Sequence, residues 1–421
     1  YSIGYVHEAD IPVQYKLAEA FTVGDMYYES IISSTAPNRV SWFSGTINPP
    51  KGSKVNGTNK YMGGPTLDNR DSVGCERTDS GKPFSCVPLR WKTVPEYLQE
   101  AGISWRVYQD KDNFGDDPLV MWKQYQTSAK KKGDLAQRGT SFPGLQKFFD
   151  DARDGKLPEV AYIVAPMQLS EHPPYMPMDG AWLQGEVAKA VMHGKNWDST
   201  ALIYSYDETG GWADHVVSPS PPQSEESEWI EDPYDKSNGI APIGPGFRLP
   251  FYIVSPWTSG GHVFTEHAAH ESQIMFLEQW ALAHGKPFTS EEIPTWRREQ
   301  LSDLVKAFDF SSKDTSVPEV PHVRKPSQDI FTGHFNGADV CQAIHLKKVQ
   351  PDIPYKKLNP SNSMEVNKGF KRLRGDVTEG RRLTFEAHNR ALSHSGSKLK
   401  SSSSSKEHDE KDQLFVVHWQ G

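Results

Sequence analysis

Tyr206-Asp207-Glu208 ends an apolar run, Ala201-Leu202-Ile203-Tyr204, and is followed by Gly210-Gly211 and Asp214-His215. Adjacent carboxylates repel each other and are held together where a cation or a hydrogen-bond network compensates them. Asp and Gly are also ordinary turn residues, so a solvated turn is the competing reading. Upstream, the hydroxyls Ser33-Ser34-Thr35 precede Ala36-Pro37-Asn38-Arg39. A hydroxyl is a poor nucleophile at neutral pH unless a base or a metal cation stabilises its alkoxide. Pro37 biases Ala36 away from the helical region, which predicts Thr35 in an extended turn; a plain turn residue is the competing reading. Arg39 carries a planar fork of donors suited to a phosphoryl group. In Ser170-Glu171-His172-Pro173-Pro174 the prolines stiffen the loop. A histidine so aimed can donate to a phosphate oxygen or protonate a leaving group, the alternative being a capping or core histidine. His215, after Asp214, reads the same way.

The elements that must position these residues follow from periodicity. Helices are predicted over Ile11 to Phe21, Val94 to Ala101, Gly144 to Arg153, Ala181 to Met192 and Ser272 to Ala283. Strands are predicted over Ser104 to Gln109, Val160 to Val164, Ala201 to Tyr206 and Leu249 to Val254. Alternation of this kind implies βαβ units and a mostly parallel sheet, with ligands bound at the carboxyl edge. Asp110, Ser170-Glu171-His172, Asp207-Glu208 and Ser255 all fall at or just past strand ends. Residues 47–90 and 218–247 read as long loops, the second a solvated acidic insertion containing Glu225, Glu226, Glu228, Glu231 and Asp232. Ser395 to Asp412 is low-complexity and expected to be disordered, with a strand predicted over Leu414 to Trp419.

With 421 residues, 36% apolar, the chain can bury a sizeable core, and two domains are the natural expectation. A net charge of -8 argues against nucleic acid as the main partner. No apolar run approaches the roughly 18 residues of a spanning helix. Cys75 and Cys86 flank a short polar loop where a disulfide would point to an oxidising compartment; two unpaired thiols are the alternative, and Cys341 is left over.

Several motifs occur in one order: Ser34-Thr35-Ala36-Pro37-Asn38-Arg39; Tyr108-Gln109-Asp110 with Asn113-Phe114-Gly115-Asp116; Ser170 to Pro174; Tyr206-Asp207-Glu208 with Gly210-Gly211 and Asp214-His215-Val216; and Gly246 to Pro250 with Ser255-Pro256-Trp257. In this the sequence resembles the phosphoesterase family of phospholipases C and a related acid phosphatase. The resemblance implies an α/β fold like that of alkaline phosphatase, a mostly parallel central sheet with helices on both faces. It implies a catalytic domain over 1–310, a linker or arm over 311–364 and a partial β-rich C-terminal region over 365–421. Thr35 looks like the nucleophile of a phosphothreonine intermediate, with Arg39 and Asn38 on the substrate phosphate and His172 and His215 as phosphate-binding or proton-donating groups. Asp207, Glu208 and Thr35 look like ligands of a divalent metal ion, of the hard Ca²⁺ or Mg²⁺ type or else Zn²⁺. The implied substrate is a phospholipid, with peripheral contact to a membrane surface and a secreted location; an acid phosphomonoesterase is the alternative on the same scaffold. The aspartate that many members carry before Pro-Asn-Arg is Ala36 here. The family's first strand bears a Glu-Asn-Arg-Ser-Phe-Asp segment that supplies metal ligands, and Tyr1 corresponds to a point downstream of it. A truncated chain, or a non-catalytic relic, is therefore also expected.

Overall fold

The apolar runs become strands of a layered α/β domain in the computed structural model, which describes residues 4–49, 63–69, 74–77, 83–232, 235–346, 370–405 and 410–418. The central sheet orders its strands Leu373–Arg374, Val263–Phe264, Thr22–Gly24, Phe251–Val254, Leu202–Ser205. Val263–Phe264 is parallel to both its neighbours, and Phe251–Val254 is antiparallel to both of its own. Four strands thus share one direction and one is reversed. Trp105–Tyr108 and Val160–Ile163 form a separate parallel pair.

Side chains alternate across the sheet, so each strand feeds two cores. Tyr252 and Val254 join Val13, Leu17, Phe148, Leu183 and Val187, which come from the helices Pro12–Ala20, Leu145–Asp154 and Pro177–Met192. Phe251 and Ile253, on the other face, pack with Tyr27, Leu249 and Phe264, while Trp105, Val107 and Tyr162 of the separate pair pack with Val40, Phe43, Leu98 and Ile274 of Thr35–Ser44, Val94–Glu100 and His270–Ala283. Helices cover both faces, as expected.

One part of the acidic loop does not stay in solvent. Glu228 and Glu271 are fully buried and clamp Arg297, which is itself only 2% exposed. Arg297 Nη2 lies 2.9 Å from Glu228 Oε2, and Nη1 lies 2.8 Å from Glu271 Oε1. Ser30 and Ser41 hydroxyls also donate to Glu271. The expectation of a solvated insertion is corrected at Glu228: a carboxylate enters a core where a guanidinium and hydrogen bonds meet its charge.

The C-terminal region is tied to the sheet. Leu373–Arg374 is its outermost strand, and Arg381 pairs with Asp25 at 2.5 and 2.9 Å. The expected disorder of 395–412 is corrected in part. Lys398–Ser403 pairs with Arg390–Ser395 across the two-residue turn Gly396-Ser397, with Gly396 at φ 61, so the serine run closes a hairpin; residues 406–409 lie outside the described residues. Of the predicted terminal strand, Phe415–Val416 pairs with Arg382–Leu383, and Trp419 lies outside the described residues. The linker expected over 311–364 contains the helix Gly337–His345, and its residues 347–364 lie outside the described residues. Within the first long loop Gly74–Arg77 and Pro83–Val87 form a hairpin with Cys75 opposite Cys86; Cys86 is disulfide-bonded and Cys341 is free. Among the described residues no helix is long and apolar enough to cross a membrane.

Candidate active site

Thr35 opens the helix Thr35–Ser44, so the extended turn expected from Pro37 is corrected. Proline is tolerated in a first turn because the N–H it lacks has no intrahelical acceptor there. Ser34, the N-cap, makes no side-chain capping bond. The uncapped first turn of a helix is a place where backbone N–H groups and the helix dipole favour an anion.

Asn38 does not face a substrate, which corrects its assignment to the phosphate. It is fully buried, and its amide closes the loop in front of Thr35: Oδ1 accepts from Ile31 N at 2.9 Å, and Nδ2 donates to the carbonyls of Ile31, Ser33 and Ser34 at 3.0 to 3.3 Å. A side chain with every polar atom used on backbone positions that backbone.

Arg39 lies one turn after Thr35, on the same helix face. Its Nε donates to Asp207 Oδ2 at 2.8 Å, Nη1 donates to the Asp116 carbonyl at 3.1 Å, and Nη2 lies 3.2 Å from Asp116 Oδ2. One guanidinium therefore joins the hydroxyl-bearing helix, the end of the Leu202–Ser205 strand and the loop after Trp105–Tyr108. Asp116 belongs to a quoted motif, yet nothing in its sequence context gave it this role. Burial would raise the Asp207 carboxyl, but Arg39 outweighs it and holds the group below its ordinary value. Burial and the neighbouring Asp207 raise Glu208, whose Oε2 accepts from Gly210 N at 2.6 Å.

His270 holds Asp207 from behind. Gln273 donates to Tyr27 Oη at 2.7 Å, Tyr27 lies 2.9 Å from His270 Nδ1, and His270 Nε2 lies 2.8 Å from the Asp207 carbonyl. Burial lowers the His270 pKa and favours the neutral ring. In that form Nε2–H donates to the carbonyl and Nδ1 accepts from the tyrosine hydroxyl, so the network fixes the tautomer.

His172 is exposed, with Nδ1 2.7 Å from the Pro173 carbonyl, which leaves Nε2 open. It stands near Asp116 and Glu208, two carboxyls that burial raises above their ordinary values. His215 is 89% exposed and sits 3.3 Å from Asp214, which Arg248 grips at 2.5 and 2.9 Å. His215 thus stands with the Asp214–Arg248 pair, and no contact ties it to Arg39 and Asp207.

Glu29, a buried carboxyl, was missed as a site residue, and Glu171, partly buried, was noted only for lying past a strand end. Glu29 accepts from Phe247 N at 3.1 Å, and burial, with Glu208 and Asp207 nearby, pushes it up to about 7. A Cβ at Gly246 would sit 2.1 Å from Glu29 Oε1, which accounts for glycine there. Glu171 turns inward on a backbone with φ 65 and accepts from Gln14, Gln184 and Tyr206 at 3.3, 2.9 and 2.7 Å. Burial pushes it up to about 7 as well. Its folded pKa exceeds the unfolded 4.5, so the stabilisation is full below that pH and is lost as pH rises through about 7. The melting temperature is expected to fall across this window, and Glu171→Gln to flatten the fall. Melting curves at half-unit pH steps check this; an unchanged slope in the variant would exclude Glu171 as its source.

Among the described residues no group of three or more His, Cys, Asp or Glu is placed to hold a metal ion. Of the expected ligands, Asp207 already gives an oxygen to Arg39. The carboxylates present do not by themselves fit a divalent cation, for which a complete set of oxygen donors is needed.

A helix N-terminus bearing a hydroxyl, an arginine one turn later and acids at strand ends come together in this α/β protein. The chain belongs to the Phosphoesterase family, which it matches over residues 1–282. It is similar to a non-hemolytic phospholipase C of Burkholderia pseudomallei, 33% identical over 352 residues covering 76% of this chain and 47% of that protein. A non-hemolytic phospholipase C of Pseudomonas aeruginosa is 34% identical over 383 residues, 87% of this chain and 50% of that protein. Phospholipase C B of Mycobacterium tuberculosis is 31% identical over 337 residues, 77% of this chain and 60% of that protein. The chain spans about half the length of the first two.

Proposed function

We propose that these residues form most of the catalytic domain of a phosphoester hydrolase of the phospholipase C type, on an alkaline-phosphatase-like scaffold. The observation that carries the reading is the pairing of Thr35 and Arg39 on one helix face at an uncapped N-terminus, with Arg39 fixed between Asp116 and Asp207. Family membership and the names of the relatives support the same class.

The substrate phosphoryl group lies against the helix N-terminus, where N–H groups and dipole stabilise the charge that develops in transfer. Thr35 Oγ attacks phosphorus in line. The Oγ–P bond forms as the Thr35 hydroxyl proton passes to solvent, the P–O bond to the glycerol breaks, and His172 Nε2 supplies the proton that the diacylglycerol oxygen takes up. Water then attacks phosphorus and the Oγ–P bond breaks: one proton of the water restores the Thr35 hydroxyl, its oxygen leaves on the head-group phosphate, and His172 regains its proton from solvent. The substrate is a phospholipid at a membrane surface, and the disulfide at Cys86 agrees with a secreted protein.

Two in-line displacements invert phosphorus twice. Hydrolysis of a chiral phosphorothioate by the full-length protein is expected to retain configuration; net inversion would remove the covalent step and make water the nucleophile.

A further inference from the structure

In water a chain hides isoleucine and phenylalanine where it can, and one exposed alone is ordinary. Ile330 and Phe331 are neighbours, 88% and 89% exposed. Exposure so complete requires a tip. Both residues project from the turn 329–334, closed at its foot by an antiparallel bridge between Gln328 and Phe335. The turn is braced from within. Asp329 Oδ1 accepts from Phe331 N, Thr332 N and Thr332 Oγ1 at 2.9, 2.7 and 3.0 Å. Asp329 N donates to the His334 carbonyl and Gly333 N to the Asp329 carbonyl, both at 2.8 Å, and His334 N donates to Thr332 Oγ1 at 3.3 Å. These N–H groups find acceptors inside the turn, which is the condition for backbone to leave water cheaply. The bracing also fixes Ile330 and Phe331 in place before any partner arrives.

The foot of the turn is fixed to the body. Val323 is buried in the core that holds Leu183 and Val187. Phe335 packs on Trp182 with ring centroids 5.5 Å apart, and Gly337 fits so closely against Asp179 that a Cβ there would lie 2.2 Å from Oδ2. Asp179 and Trp182 belong to the first turns of Pro177–Met192. That helix follows the loop which leaves the carboxyl end of Val160–Ile163 and carries His172, and Tyr175 N in this loop donates to the His172 carbonyl at 2.9 Å. The braced turn therefore stands at the end of the helix where His172 lies. Other apolar groups are exposed at the same end. The Phe114 ring centroid is 6.3 Å from that of His172, and Met178 opens the helix. Val340 and Ile344, four apart and so on one face of Gly337–His345, are exposed as well. Arg324 and Lys325, both exposed, precede the turn.

We propose that the turn 329–334 is a membrane-insertion tip. Ile330 and Phe331 pass the headgroups of a phospholipid bilayer and bury in the acyl border, while Val340 and Ile344 lie along the surface and Arg324 and Lys325 meet lipid phosphates. The tip holds the His172 end of the molecule against lipid. This rests on the reading of the chain as an enzyme of phospholipids. The shape of the feature favours a bilayer over a protein partner. Fluid lipid closes round a convex tip, whereas a protein would have to supply a pocket shaped for two projecting side chains.

Co-sedimentation of the full-length protein with vesicles tests it. The vesicles are made of phosphonate analogues of phosphatidylcholine and phosphatidylglycerol, in which a methylene replaces the glycerol-side ester oxygen, so binding is read without turnover. The wild-type protein is expected to bind, and Ile330→Ser with Phe331→Ser to lower the partition coefficient at least about thirtyfold. Ile330→Leu with Phe331→Trp keeps the tip apolar and is expected to bind as the wild type does. In the serine variant the melting temperature, and turnover of a short-chain phosphatidylcholine below its micelle concentration, are expected to stay unchanged. Absence of binding by the wild type, or equal binding by the serine variant, would overturn the proposal. Loss of short-chain turnover in step with binding would overturn it by placing the tip in the site. A dimer that the serine variant alone fails to form would overturn it by making the tip a contact between copies. If no phospholipid is turned over while the binding difference stands, the phospholipase reading fails and the membrane tip remains.

Discussion

Arg297→Met is expected to lower the unfolding free energy by about 3–5 kcal/mol, the cost of leaving buried carboxylates without their counter-charge. Arg297 is the common donor to Glu228, Glu271 and the Ser30 carbonyl, at 2.8 to 3.1 Å, and neither carboxylate is exposed. Methionine fills much of the volume, so the loss reports charge rather than a cavity. Chemical denaturation measures it directly. Unpaired carboxylates take up protons in the folded state, so the deficit of the variant should shrink as pH falls from 7 to 5. Adding Glu228→Met should recover part of the loss, since a missing pair costs less than half a pair. A loss under about 1 kcal/mol, independent of pH, would show that the triad is neutral to stability.

Thr35→Ala should reduce phospholipid turnover in the full-length protein at least ~10³-fold, about 4 kcal/mol in barrier height. Stability should hardly change. Thr35 is half-buried at the first position of its helix, and alanine is the better helix former. Thr35→Ser retains a hydroxyl and should keep far more activity than the alanine variant. Turnover of phosphatidylcholine vesicles, set beside a melting curve for each variant, separates chemistry from folding. Unchanged turnover in Thr35→Ala with loss in Ser33→Ala or Ser34→Ala would move the nucleophile along the same loop.

What could be read in advance was set by distance along the chain. The strands at Trp105–Tyr108, Val160–Ile163, Leu202–Ser205 and Phe251–Val254 announce themselves through local apolar runs. The reversal of Phe251–Val254 does not, because direction is decided by pairing with residues 22–23 and 202–205. The helix at Thr35 was hidden by Pro37, whose effect depends on whether it falls in the first turn or later. Arg39, Asp207 and Glu208 were legible as residue types. Asp116 and Glu29 were not, since each acquires its role from a group far away in sequence. Asn38 looked like a polar group next to a nucleophile; its burial turned it into a loop clamp. Glu228 read as solvated because its cation lies 69 positions further on.

The outermost strand of the central sheet has a consequence for how the protein is made. Leu373–Arg374 pairs with Val263–Phe264, and Arg381 reaches back to Asp25 near the amino end. A ribosome delivers residues in order, so Val263–Phe264 is synthesised more than a hundred residues before the strand that covers it. Until then its open edge is available to other chains, and the acid at Asp25 lacks its arginine. A nascent chain stopped before residue 373 therefore carries the candidate site residues on a sheet not yet sealed, and its fate depends on whatever shields that edge during translation.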